Sequence, residues 1–172
     1  MNTQEALDSA QSILNGLAYS SSRPEENRLD AILPPQNLKP AVEALLVKPG
    51  WGYLSAITGL DHPDYEVDPA TNLRKPLADQ GSVEVLYHFC NGAAVTTLRV
   101  MLPYSDPTLD SICDIVSSAT LYERELMELF GVELTGTPNK EHLILPDDWP
   151  EGVYPLRKSF SGFAKSSESE KG

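Results

Sequence analysis

Ala6, Leu7, Ala10, Ile13, Leu14 and Leu17 fall at the i, i+3, i+4 spacing of one helical face, so the pattern predicts a helix over Glu5–Leu17. The polar run SSSRPEEN (20–27) breaks it. RLDAIL (28–33) follows as a short strand stopped at Pro34-Pro35, and a second helix is predicted from about Asn37 to Val47. Lys48-Pro49-Gly50 ends that helix. Trp51–Leu60 has the character of a largely buried strand. Residues 61–81, with Pro63, Pro69, Pro76 and many charges, are expected to form a loop.

SVEVLYHFC and AAVTTLRVML flank Asn91-Gly92, the pair favoured in a two-residue type I′ hairpin turn. With Cys90 and Ala93 closing that turn, Val83 faces Val100, Val85 faces Leu98, Tyr87 faces Thr96 and Phe89 faces Ala94. These make one mostly apolar face. On the other face Glu84 is expected opposite Arg99, an opposite-charge cross-strand pair.

Pro103 ends the second strand, a short helix is predicted near Leu109–Val116, and another runs from about Leu121 to Phe130. Beyond Gly131 periodicity is lost, and Pro138, Pro146, Pro150 and Pro155 exclude helix interiors and central strands. The pattern therefore predicts an α+β fold, a small sheet containing an antiparallel hairpin (about 82–102) packed with helices. The domain is expected to cover 1–135, and 136–172 to be an extended tail, a candidate for partner docking, whose last residues, AKSSESEKG, are expected to be disordered.

The chain has 172 residues, enough for one domain burying roughly 70% of its unfolded surface. Lys and Arg number 13 against 25 Asp and Glu, a net charge of −12. That charge argues against nucleic acid and against adsorption to anionic lipid, both of which need a basic footprint. No apolar run approaches the ~18 residues of a membrane span, and the polar, acidic start is unlike a signal peptide. A cytoplasmic setting is expected. In a reducing compartment a Cys90–Cys113 disulfide is not expected, and two cysteines do not supply a four-thiolate iron–sulfur site.

TLYERELMELFG (120–131) concentrates carboxylates, the usual groups of acid–base catalysis. On a helical projection Tyr122, Leu126, Met127, Leu129 and Phe130 share one arc, while Arg124, Glu125 and Glu128 lie opposite, Arg124 and Glu128 at pairing distance. Glu123 falls inside the apolar arc, where an unpartnered carboxylate is very costly. Three partnerships are open to it: a capping box with Thr120, a buried ion pair with Arg157 or Lys158, or an acid–base role. No His, Ser or Cys nucleophile adjoins it in sequence. Glu123 is expected to be buried and charge-compensated.

DHPDYEVD (61–68) alternates Asp64, Glu66 and Asp68, but Pro69 stands where a calcium loop needs Gly, so a solvated loop is expected. His62, His88 and His142 lack zinc-ligand spacing, and no phosphate-cradling glycine motif or nucleophile elbow occurs. The region around YPLRKSF places Trp149, Tyr154, Leu156, Arg157, Lys158 and Phe160 in a Pro-rich, locally basic segment. Aromatic and Arg residues are favoured at interface hot spots, so this segment either packs on its own domain or docks on a partner.

Together these segments resemble the 30 kDa subunit family of respiratory complex I (NADH-quinone oxidoreductase) and related energy-converting hydrogenases. Tyr122-Glu123-Arg124-Glu125 leading to Phe130-Gly131-Val132 matches the family's helix. Gly136-Thr137-Pro138, Leu143–Leu145 and Pro155-Leu156-Arg157-Lys158 follow in the family's order. The resemblance is specific over about 82–160. It departs at Leu121, Thr137, Ser159 and Lys140-Glu141-His142, and DDWPEGVY is similar to hydrogenase and archaeal relatives.

The resemblance implies a cofactor-free, non-catalytic structural subunit in the hydrophilic arm of a proton-pumping oxidoreductase. It would scaffold the 49 kDa-type large subunit and the small iron–sulfur subunit of the same complex. Iron–sulfur clusters and quinone, or a nickel–iron site, would lie in those partners. Tyr122, Glu123, Arg124, Glu125, Phe130, Gly131, Trp149, Tyr154, Leu156, Arg157 and Lys158 would be its structural and interface residues. It would be peripheral at the cytoplasmic face of the cell membrane, attached only through the complex. A free-standing binding domain and an independent enzyme are the readings from other classes.

Overall fold

The computed structural model describes residues 2–47 and 51–163. The expected helix stop at Lys48-Pro49-Gly50 and the expected disorder of the last residues lie outside the described residues. The first helix, α1 (Thr3–Leu14), is opened by a capping box: Glu5 N donates to the Asn2 side chain and Asn2 N to the Glu5 carboxylate, both at 2.9 Å. It starts earlier and ends earlier than its apolar pattern predicts, because Asn15 turns extended before Leu17 is reached.

β1 (Ser20–Ser22), in the polar run, pairs antiparallel with β2 (Arg28–Leu33). A 3-10 turn over Pro35–Asn37 leads into α2 (Leu38–Leu46). Trp51 is buried ahead of the next strand and donates from Nε1 to the Ala6 carbonyl at 2.9 Å, tying the chain back to α1.

Three longer strands complete the sheet: β3 (Tyr53–Val67), β4 (Arg74–Asn91) and β5 (Ala94–Pro103). The order is β1-β2-β5-β4-β3, with β2 parallel to β5 and the other pairs antiparallel. Val83, Val85, Tyr87, Phe89, Ala94, Leu98 and Val100 are fully buried in one core with Leu7, Leu38, Val42 and Leu45 of the helices.

Two sequence expectations are corrected here. The hairpin register is shifted by two residues: Asn91 pairs with Ala94, Phe89 with Thr96, Tyr87 with Leu98 and Val85 with Val100. The turn is Gly92-Ala93, in which only Gly92 has a positive φ (+60°), the arrangement of a Gly-first II′ turn and not of I′. A two-residue shift leaves every side chain on its expected face, so the apolar pattern is satisfied by either register. Glu84 now sits opposite Met101, yet its carboxylate still meets Arg99 diagonally, with Nε to Oε1 at 2.7 Å.

The expected loop over 61–81 is largely strand. β3 and β4 continue past the sheet as a two-stranded arm, pairing Tyr65 with Pro76 and Val67 with Arg74, with a register shift after Pro63. Backbone pairing there proceeds without a buried face, so side-chain periodicity carries no signal of it. The helix expected near Leu109–Val116 is also absent. β6 (Thr108–Asp110) pairs parallel with β7 (Glu133–Thr135), and turns follow to Ala119. The last helix is α3 (Ala119–Phe130), ended by Gly131 at φ +71°.

Candidate functional site

α3 and the segment that follows it bring most of the sequence-selected residues together. Glu123 is fully buried, as expected of its place in the apolar arc. Its partners differ from those expected. Oε2 accepts from Ser111 Oγ at 2.7 Å and from Cys113 Sγ at 3.1 Å, and Oε1 from Ile112 N at 2.8 Å. The capping box with Thr120 is not formed: Ser118 is the N-cap, and the Thr120 hydroxyl donates to the Ser117 carbonyl. No ion pair with Arg157 or Lys158 is made: Arg157 is engaged at the other end of α3, and the Lys158 side chain is exposed. Burial pushes the neighbouring Cys113 thiol up, and hydrogen bonding to Glu123 adds to the effect.

Tyr122 donates from its hydroxyl to the Ser55 carbonyl at 3.0 Å, fastening α3 to β3. Phe130 lies so close to Gly59 that a β-carbon there would be 2.6 Å from its ring. Glu125 is half-buried.

Arg124 and Glu128 do not form the expected intrahelical pair. Arg124 donates to the carbonyls of Glu141 (2.8 Å) and His142 (2.6 Å). Glu128, placed on the solvent side by helical projection, is buried under residues 142–145 and accepts from the backbone amides of Leu143, Ile144 and Leu145. Non-repetitive backbone needs acceptors for its N–H groups. That need covers a helix face which the sequence pattern leaves open.

The segment then turns back along α3. Leu156 N donates to the Leu129 carbonyl at 3.1 Å, and Arg157 Nε to the Phe130 carbonyl at 2.8 Å, satisfying carbonyls the helix end leaves free. The Arg157 guanidinium stacks 4.1 Å over the Tyr104 ring and 5.0 Å from the Tyr154 ring centre. Tyr104 donates its hydroxyl to Asp61, whose second oxygen accepts from Lys158 N at 2.7 Å. Burial, and then the Asp61 carboxylate, push the Tyr104 hydroxyl well above its usual value. Asp61 is itself buried, correcting the solvated-loop expectation at that residue.

Trp149 donates from Nε1 to the Val153 carbonyl at 2.8 Å and clusters with Phe160 and Phe163, ring centres 6.2 and 5.1 Å away. Trp149, Tyr154 and Arg157 are thus engaged within the chain, while Leu156 and the Lys158 side chain remain exposed. Sequence reasoning missed Asp61, Tyr104, Ser111 and Glu128. The last had a signal, being a carboxylate one turn from Arg124 on the helix that the tail must cross.

Chemically the arrangement is one of tethering. The buried carboxylates accept from donors of their own chain, and the cations close carbonyls and stack on rings. Among the described residues no group of three or more His, Cys, Asp or Glu is placed to hold a metal ion, and no helix is long and apolar enough to cross a membrane.

The α+β sheet with α3 and its returning tail defines the class of domain, and comparison identifies the family. Residues 31–166 match the family described as respiratory-chain NADH dehydrogenase, 30 Kd subunit, and the chain belongs to that family. The C subunit of the F420H2 dehydrogenase of Methanosarcina mazei is 28% identical over 138 residues, covering 79% of this chain and 77% of that one. The beta subunit of the membrane-bound hydrogenase of Pyrococcus furiosus is 43% identical over 65 residues, 38% of each chain. In the C/D fusion protein of the NADH-quinone oxidoreductase of Methylococcus capsulatus, 88 residues are 39% identical, covering 50% of this chain and 14% of the relative. The match thus spans well under two thirds of the latter two relatives. A chain of the membrane-bound sulfane sulfur reductase, an archaeal respiratory membrane complex, shares the fold at a TM-score of 0.68 and 22% identity, covering 91% of this chain and 85% of that one.

Proposed function

We propose that this chain is a non-catalytic structural subunit in the hydrophilic arm of a complex I-like, proton-pumping oxidoreductase, with NADH or a related donor and quinone as acceptor. The observation that carries the reading is the family match over 31–166. The partners are the 49 kDa-type large subunit, which forms the quinone site, and the small iron–sulfur subunit. The fusion in the Methylococcus relative supports the first of them. In this reading iron–sulfur clusters and quinone belong to those partners. The exposed Leu156 and Lys158 side chains, carried on a tail pinned at Arg157, are its contacts with them. The chain sits peripherally at the cytoplasmic face of the membrane, held there through the complex.

A second reading is supported by the identity with the Pyrococcus and Methanosarcina proteins. In it the same subunit serves a membrane-bound nickel–iron hydrogenase or a deazaflavin dehydrogenase. Purification of the tagged chain from its host in mild detergent, with mass spectrometry of what accompanies it, separates the two. A quinone-site subunit with antiporter-like membrane subunits supports the first reading. A large subunit that holds the cysteine ligands of a nickel–iron site, or a deazaflavin-oxidising input subunit, supports the second. Recovery of the chain alone overturns both.

A further inference from the structure

Glu128 turns its carboxylate under the tail and meets a run of consecutive donors there. Oε1 accepts from Ile144 N at 2.8 Å. Oε2 accepts from Leu143 N at 3.0 Å and Leu145 N at 3.2 Å, with His142 Nδ1 also at 3.2 Å. Successive main-chain amides converging on one anion form a nest, an arrangement that ordinarily receives a bound ion. Here the anion is a side chain of the protein's own helix. Arg124, one turn earlier on α3, holds the two preceding carbonyls, those of Glu141 and His142.

All these contacts except the imidazole are to main chain. The side chains of Leu143 and Ile144 remain 38% and 57% exposed, so burial contributes little to keeping the strand of tail in place. The attachment depends on one negative and one positive charge on α3. Such segments, with solvent-exposed side chains and few buried contacts, open locally at a free energy below that of global unfolding.

We propose that Glu128 and Arg124 form a detachable clasp, and that residues 141–145 leave α3 as a unit when the Glu128 charge is lost, with the sheet and α3 staying folded. The charged groups around Glu128 are Arg124 on α3 and Lys140, Glu141, His142 and Glu151 on the tail. Burial by itself raises the Glu128 carboxyl, but the amides of Ile144, Leu143 and Leu145 and the His142 ring outweigh it and hold it below the ordinary glutamate value of 4.5. The clasp is therefore fully made above that value and opens as pH falls through the lower, folded-state one.

Hydrogen exchange followed by mass spectrometry on the whole chain, corrected for intrinsic rates, tests this with wild type, Glu128→Gln and Glu128→Asp. In Glu128→Gln the amides of 143–145 should exchange about 10- to 100-fold faster, with β4 and β5 unchanged. Glu128→Asp, which keeps the charge on a shorter arm, should fall between the two. Unaltered protection of 143–145 in Glu128→Gln overturns the proposal. So does loss of protection in β4 and β5 together with the tail. If Glu128→Gln does not fold, the wild type decides: on stepwise acidification below the ordinary glutamate value the 141–145 peptide should open before the sheet, and simultaneous opening overturns the clasp.

Discussion

The ring of Tyr154 fills the space beside Gly131 where a side chain would begin: its Cε2 and Cζ lie 2.4 Å from the position of a β-carbon. Gly131 also has a φ of +71°, so two separate constraints require glycine at the end of α3. Gly131→Ala should cost about 1–2 kcal/mol for the left-handed backbone alone. Displacement of Tyr154 adds to that, for a loss of at least about 2 kcal/mol in urea unfolding. In a Tyr154→Ala background the cost should fall to the backbone part. A double-mutant cycle with no coupling between the two sites would contradict this contact.

Removing the Glu123 side chain strands the donors that converge on it. Glu123→Ala leaves the buried Ser111 hydroxyl and the Ile112 amide unpaired, at about 1–3 kcal/mol each. A loss of about 3 kcal/mol lowers the melting temperature by roughly 6–12 °C for a domain of this size. Ser111→Ala, which removes one donor and leaves the carboxylate two others, should lower it by a few degrees at most. Thermal melts of both variants check the order, and equal effects would place the weight of the cluster on Ser111 instead.

Arg99 lies on the sheet face opposite Val83, Val85 and Tyr87, between two buried carboxylates, with Nε to Glu84 at 2.7 Å and NH1 to Asp30 at 2.9 Å. Burial on its own raises the Glu84 carboxyl, but hydrogen bonds from Arg99 and His62 prevail and hold it below the ordinary 4.5. Its stabilising contribution is present above that value and lost as pH falls through the folded-state one. Arg99→Met removes the cation from both carboxylates, leaving Glu84 only its contact with His62, at about 3 kcal/mol near neutrality. The deficit relative to wild type should shrink as pH falls and protonation removes the unpaired charge, starting at higher pH than in wild type because burial then raises the carboxyl unopposed by Arg99. Denaturant titrations at several pH values test it, and a constant deficit would rule out the electrostatic cause.

Asp61 joins two segments far apart in sequence, accepting from Tyr104 on one oxygen and from the Lys158 backbone on the other. Asp61→Ala should release the tail at that point while leaving the sheet intact. Trypsin should then cut after Arg157 and Lys158 faster than in wild type, by roughly tenfold if one charged hydrogen bond is lost. Unchanged cleavage kinetics would mean that Arg157 alone holds the tail.

Local periodicity determined much of this protein. The apolar spacing of Ala6, Leu7, Ala10 and Leu14 specifies the face of α1, and the alternation of Val83, Val85, Tyr87 and Phe89 specifies the side of β4 that joins the core, because both signals lie within a few residues of the chain. The burial of Glu123 was legible for the same reason. What periodicity does not encode is the partner of a group. The hairpin register, the strand character of 61–81, and the pairing of Leu109 with Leu134 were decided by which backbone groups meet in the folded chain. So were the donors to Glu123, the amides over Glu128 and the link from Asp61 to Lys158. Each satisfies a buried polar group with a donor from another part of the chain, and only tertiary structure brings such pairs within hydrogen-bond distance.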